Sequence, residues 1–426
     1  MLQYPHRGAR AALLGTVLAI AGSWAAHAAV PENTLYILDN NGEPGKNAVL
    51  GYHRNIDGSL TALPGSPFLT GGTGFGTTGT TAATALLLAP PGPFDGENFM
   101  AADPVGGILY VPNGGSDNIS ALRMAPDGAL SPVRGSPFAI TGNTPVTVAL
   151  QGSTLIIANN ATDPNQLNTG VGPSYTTARI DLFGHVRQIA SVPLAAGSVP
   201  TQATPDGVLP LVITNETGAG THSEYFLDQF FGQLHLLQSQ RGPILPGDTT
   251  PTGTLGIDVH PFAQYEYVAL TGASAIGVYR LGESQGRFNE TFVTTVATTN
   301  GTAASPTGSG NAPCWLHVSP DGRYAYTGNT ASHSISVFSL QNPAAPVVVQ
   351  TVVVRNTNTA TFDFEFSPDG RFIYFIEAAG ALTGAAAANQ VHILSVSQAT
   401  GQLTEIPASP VVLPVTGRRV LGAQVF

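Results

Sequence analysis

One four-strand unit, repeated along the chain, constrains the fold more than any other feature. Its clearest copy is Leu316-His317-Val318-Ser319-Pro320-Asp321-Gly322-Arg323-Tyr324-Ala325-Tyr326-Thr327-Gly328-Asn329. An alternating segment meets a Pro-Asp-Gly turn, and a second alternating segment runs to Asn329. Proline pre-sets the turn and glycine accepts positive φ, so two antiparallel strands leave it in register. Residues 334–338 supply a third strand and residues 347–353 a fourth.

The unit recurs as Glu365-Phe366-Ser367-Pro368-Asp369-Gly370-Arg371-Phe372-Ile373-Tyr374, and without the Asp-Gly as Val259-His260-Pro261 through Tyr267-Val268. Thr204-Pro205-Asp206-Gly207, Ala102-Asp103-Pro104 and Val148-Ala149-Leu150 open three weaker copies. A seventh starts in its second strand, Thr34-Leu35-Tyr36-Ile37, and its first strand is available at the far end as Leu421-Gly422-Ala423-Gln424-Val425-Phe426. Third-to-fourth strand turns repeat too, as Asp57-Gly58-Ser59-Leu60, Asp127-Gly128-Ala129-Leu130 and Thr400-Gly401-Gln402-Leu403. Seven such units about 50 residues apart predict an all-β, seven-bladed β-propeller with four-stranded antiparallel blades. The C-terminal strand joining the N-terminal blade closes the ring and removes its open edge. A two-sheet sandwich explains neither the period nor the split copy.

The N-terminus reads as a secretory signal over residues 1–28, leaving a propeller domain over 29–426. His6, Arg7 and Arg10 give a basic start, an apolar run follows, and Ala26-His27-Ala28 is the small-x-small pattern for cleavage before Ala29. The run is too short to span a bilayer, so a secreted or periplasmic protein without a membrane span is expected. Without Arg7 and Arg10 the chain keeps 14 basic residues against 26 acidic ones, which excludes a nucleic-acid partner. Lys46 is the only lysine and Cys314 the only cysteine. Schiff-base chemistry at any other position and intrachain disulfides are thereby excluded.

The run Cys314-Trp315-Leu316-His317-Val318-Ser319-Pro320-Asp321-Gly322-Arg323-Tyr324-Ala325-Tyr326, with Ser66-Pro67-Phe68 and Ser136-Pro137-Phe138 after fourth strands, resembles the β-propeller lactonase-like family. That family includes 6-phosphogluconolactonases, carboxymuconate cyclases and exported members with YVTN-type repeats. The resemblance covers nearly the whole mature chain and implies a propeller acting on a small lactone or sugar-like molecule. Enzymatic branches typically carry a Pro-His-x-His segment in an early blade; the matching Thr144-Pro145-Val146-Thr147-Val148 has no histidine.

In such blades the first strand lines a central channel. The long connections (70–99, 162–177, 218–224, 300–312 and 378–389) all fall at second-to-third corners or between blades, so that face is expected to be a lidded binding surface. Aligned on their turns, the copies give an inner ring of Ala101, Thr147, Gln202, Asp258, His317, Glu365 and Gln424. Asp258, His317 and Glu365 occupy equivalent positions in consecutive blades. A carboxylate beside an imidazole orients it and raises its basicity, which suits proton transfer; polar residues that merely face channel water are the plain alternative. A second ring at the corners is Asn40, Asn113, Asn159, Asn215, Leu270, Asn329 and Glu377. Asparagine there is explained by its tolerance of left-handed backbone and by bonds to its own turn. Glu377 escapes that explanation, and Glu216, beside Asn215 and near His222, resembles a corner glutamate of the family.

The candidate catalytic set is therefore His317, Asp258, Glu365, Glu216 and Glu377, with Arg179, Arg241 and Arg418 as cations for a developing oxyanion. No cofactor is predicted, although His and carboxylate ligands from three blades suit a divalent metal. Gly74-Phe75-Gly76-Thr77-Thr78-Gly79 lacks the flanking strand and helix of a dinucleotide loop, and there is no G-x-S-x-G, H-E-x-x-H or C-x-x-C. Two readings stay open: an exported, monomeric lactone hydrolase or cycloisomerase, and a non-catalytic binding propeller of the cell envelope.

Overall fold

The computed structural model of the chain describes residues 31–76, 94–163, 170–206, 209–243, 253–284, 287–299, 310–355, 360–378 and 388–426. They form seven antiparallel sheets, one per repeat, with only two single-turn 3-10 segments among the described residues. No helix of these residues is long and apolar enough to cross a membrane. The segment expected as a signal, 1–28, lies outside the described residues.

Each blade is ordered from the channel outward. Blade six is Pro313–Val318, Tyr324–Asn329, Ser334–Ser339 and Val347–Val353. Blade seven is Ala360–Phe366, Phe372–Ala378, Gln390–Val396 and Leu403–Glu405. Blade four is Pro200–Pro205, Leu211–Glu216, Thr221–Asp228 and Gln233–Arg241, and blade five is Thr254–Val259, Tyr265–Leu270, Ala275–Ser284 and Arg287–Ala297. Second strands such as Thr34–Leu38 and Thr154–Asn159 are buried along their whole length, because neighbouring blades cover both faces. Each large aliphatic residue so buried contributes roughly 1.5–3 kcal/mol.

The Ser-Pro-Asp-Gly-Arg turn is held by its own side chains. Ser319 Oγ donates to Asp321 (2.7 Å) and accepts from the Tyr324 amide (3.0 Å), while Arg323 Nε donates to Asp321 (2.6 Å). Blade seven repeats this with Ser367, Asp369, Arg371 and Phe372. Gly322 and Gly370 close the turns at φ of 69° and 67°. Blade five, which lacks the Asp-Gly, substitutes His260, whose Nδ1 accepts the Phe262 and Ala263 amides.

Second-strand tyrosines tie one blade to the next. Tyr326 donates to Gly401 O (2.9 Å), Tyr374 to Gly58 O (3.1 Å), Tyr36 to Gly128 O (2.7 Å) and Tyr267 to Pro343 O (3.0 Å). The ring closes where Ala423–Val425 pairs with Thr34–Leu38, in register Tyr36 with Gln424. The Arg54 guanidinium and the Thr34 amide both donate to Phe426 O, which fastens the seam.

Two expectations change. The Ser-Pro pairs do not follow fourth strands; they interrupt them. In blades one, two and seven the outer strand is in two pieces, and Ser66, Ser136 and Ser409 in the gaps accept the amides of Gly51, Ala121 and Ile393. At the corners only Asn40 has positive φ (60°). The others are used as cross-linkers: Asn159 donates to Ser174 and Thr176, Asn329 to Ser334 and Ser336, and Asn113 to Asn118 and Ser120.

Candidate functional site in the central channel

The inner strands bring Asp258, His317 and Glu365 together. His317 Nδ1 stands 3.8 Å from Asp258 Oδ2, and its ring packs edge-on against Phe364 at 4.9 Å. Two carboxylates that the copies did not single out join them: Glu97 Oε1 lies 3.5 Å and Asp363 Oδ1 4.0 Å from His317 Nε2. Asp363 is two residues before Glu365 on one strand, so alternation puts both on the channel face. That period was legible. Glu97 was not, because it lies in the linker between blades one and two and matches no repeat.

Segment 94–99 of that linker enters the channel. The Glu97 amide donates to Thr201 O of blade four (3.0 Å), and Glu97 Oε1 accepts the Leu316 amide of blade six (2.9 Å). Trp315 Nε1 donates to Gly96 O (3.0 Å), and the Val148 amide of blade three donates to Asn98 O (3.1 Å). Phe99 meets Gly422 of blade one so closely that a Cβ there would sit 2.8 Å from its ring. A single segment thereby touches the inner strands of blades three, four and six and the start of that of blade one.

Exposure divides the cluster. The side chains of Asp258 and His317 are 27% and 14% exposed, whereas Glu97 and Asp363 are buried. Asp258, His317 and Glu365 each sit near the first-to-second turn, and the buried groups lie deeper. This ring therefore lies toward the short-turn face, whereas it was expected on the long-loop face. Much of those connections lies outside the described residues. Of the parts described, 94–99 enters the channel and 217–220 is a tight turn rather than an expansion.

The structure separates the other two candidates from this group. Glu377 is buried in the second strand of blade seven, three residues beyond Tyr374, the partner of Glu365, or about 10 Å along the strand. It is 3.1 Å from His392 Nε2, whose Nδ1 meets Glu405 at 2.8 Å. Glu216 is buried at the corner of blade four and takes four hydroxyl donors: Tyr175, Thr214, Thr221 and Ser223, at 2.8 to 3.0 Å. Arg179 binds the carbonyls of Gln229 and Phe230, and Arg418 holds Asp39 through two nitrogens at 2.7 and 2.8 Å. The buried cation beside the linker is instead Arg419, sandwiched between the Phe94 and Phe362 rings at 5.1 and 5.0 Å. Burial lowers its guanidinium to about 10. Cys314, its thiol pushed up to about 12 by burial, is no nucleophile.

Burial by itself would discharge His317, but Asp258 and Asp363, then Glu365 and Glu97, hold its pKa well above the ordinary histidine value. Burial raises Glu97 well above the usual carboxylate range and brings Glu365 to about 7. A histidine pKa held this high suits His317 to donating a proton, and a carboxyl brought to about 7 suits Glu365 to accepting one. Glu97, His317 and Asp363 put ligand-type atoms within 4.8 Å of one another. However, Glu97 Oε1 and both oxygens of Asp363 already accept backbone amides, from Leu316, Phe364 and Ala423. The donor set suits a held proton better than a metal.

Two surface clefts, with empty volumes of about 420 and 580 Å³, follow the seams between blades six and seven and between seven and one, and neither is lined by these channel residues.

Residues 252–416 match the family model described as lactonase, 7-bladed beta-propeller. No curated protein matches the chain in sequence. Among solved structures, it is similar to a protein from Lactobacillus plantarum (13% identity, TM-score 0.67, 92% of this chain and 99% of that one). It is similar as well to a periplasmic gluconolactonase of Pseudomonas aeruginosa (17%, 0.63, 92% and 98%). A third similar structure is a candidate 6-phosphogluconolactonase of Bacteroides uniformis (15%, 0.62, 92% and 98%). At these identities the likeness is one of fold: the chain is a seven-bladed propeller, and its residues 252–416 are similar to the lactonase propeller family.

Proposed function

We propose that the protein is an exported hydrolase that opens a small lactone in the short-turn end of the channel. The observation that carries this reading is the His317 imidazole set among Asp258, Asp363, Glu365 and Glu97, beside the linker segment 94–99. In the proposed reaction Glu365 takes a proton from water as the oxygen attacks the ring carbonyl carbon. His317 hydrogen-bonds the carbonyl oxygen while negative charge grows there, then gives its proton to the ring oxygen as the C–O bond breaks. The product is a hydroxy acid, and the proton on Glu365 returns to His317 through solvent.

The test uses gluconolactone, with proton release followed per folded molecule. Glu365→Gln keeps the shape and removes the base, so turnover should fall at least about tenfold, roughly 1.4 kcal/mol. His317→Ala should fall as far and should also melt lower, because it strands buried carboxyls. Unchanged turnover in both folded variants would sink the proposed site. Export is supported by the basic start, apolar run and Ala26-His27-Ala28, and by likeness to a periplasmic enzyme. Native protein beginning near Ala29 by mass spectrometry is the expected result; an intact Met1 terminus would exclude it. A non-catalytic binding propeller is the second reading, and the placement of Arg179 and Arg418 outside the channel favours it.

A further inference from the structure

A second cluster of ionisable groups lies away from the channel, in the dry seam between blades four and five. His222 and Glu224 alternate on the third strand of blade four and face blade five, since Ser223 and Tyr225, between and beyond them, bond and stack toward Glu216 and Tyr175 on the other side. Glu266, Tyr279 and Glu290 come from the second, third and fourth strands of blade five. His222 Nε2 is 2.5 Å from Glu290 Oε1 and 3.7 Å from Glu266 Oε1, and ligand-type atoms of all three residues lie within 4.8 Å of one another. The Tyr279 ring meets the imidazole edge-on at 4.5 Å.

All five side chains are at least 97% buried, and most of their polar atoms have no partner. Both oxygens of Glu224 and of Glu266, Oε2 of Glu290, Nδ1 of His222 and the Tyr279 hydroxyl make no hydrogen bond. Among the described residues no arginine or lysine pairs with these carboxylates. Glu216, one seam away, shows the contrast, with four hydroxyls on its two oxygens. Buried carboxylates are retained when paired or coordinating a metal.

We propose that His222, Glu266 and Glu290 bind one divalent first-row transition-metal ion between blades four and five, the two glutamates balancing its charge. One imidazole nitrogen with carboxylate oxygens suits zinc or manganese(II) better than calcium or magnesium, which take oxygen ligands alone. The ion would replace the proton now shared by His222 and Glu290 and join two blades whose seam otherwise holds uncompensated charge.

Metal content of the full chain as isolated, by inductively coupled plasma mass spectrometry, should approach one equivalent. Protein unfolded with chelator and refolded with cobalt(II) should show the visible absorption of a nitrogen- and oxygen-ligated ion, displaced by zinc, with a melting temperature that climbs with metal. Glu266→Gln with Glu290→Gln should abolish uptake while His317→Ala retains it. The proposal is overturned if the folded wild type takes up no transition metal by either route. Binding of calcium or magnesium alone overturns it, as does uptake that survives the double substitution.

Discussion

His317 shows how a residue's neighbours set its chemistry. The groups facing it are Asp258 from blade five, Asp363 and Glu365 from blade seven, and Glu97 from the linker. Its raised pKa means that the folded state holds a proton the unfolded chain releases near pH 6.5. The stability this contributes is complete below that pH and is lost as pH rises through the folded value. Glu365, raised from 4.5 to about 7, acts in the same direction, because ionising it costs more folded than unfolded across that window. We therefore expect thermal stability to fall as pH increases. In melting curves against pH, Glu365→Gln should flatten the limb below 7 and His317→Gln the limb above it. Unaltered slopes in both variants would show that neither proton is held as described.

At the scale of elements, the linker segment 94–99 decides the form of the channel. Its fit depends on glycines opposite it. A Cβ at Gly256 would come within 2.6 Å of Glu97 Oε2, 2.7 Å of Cys314 O and 2.8 Å of Leu316 N. Two of those atoms are backbone of the next blade and cannot swing away. Gly256→Ala should destabilise the protein by about 1–3 kcal/mol, the usual cost of overpacking, measured by chemical denaturation. A neutral result would mean the linker yields at this point. Blade elements themselves were legible: the outer strand of blade six runs Val347–Val353 as expected for a fourth strand, and Pro-Asp-Gly marked its first turn. The split outer strands were not, since Ser-Pro reads equally well as the end of a strand.

For the whole molecule the critical bond is the seam. Ala423–Val425 supplies the inner strand of blade one, and Phe426 receives Thr34 and Arg54. Removing residues 421–426 should abolish cooperative unfolding rather than shift it mildly, because an unpaired edge then faces the channel. A truncated chain that melts like the full one would refute the seam. Repetition along the chain was sufficient to determine blade number, strand order and closure, because each copy carries its own turn chemistry and alternation, which are local. It also placed Asp258, His317 and Glu365 at equivalent positions. Only the tertiary structure decided that Glu97 reaches His317, that Glu216 and Glu377 stand apart from it, and that Asp258, His317 and Glu365 lie toward the short-turn end. It alone brought His222 of blade four to Glu266 and Glu290 of blade five. Those contacts join residues far apart in sequence across blade seams and through a linker, where no repeat sets the spacing and burial of charge is settled only when the ring closes.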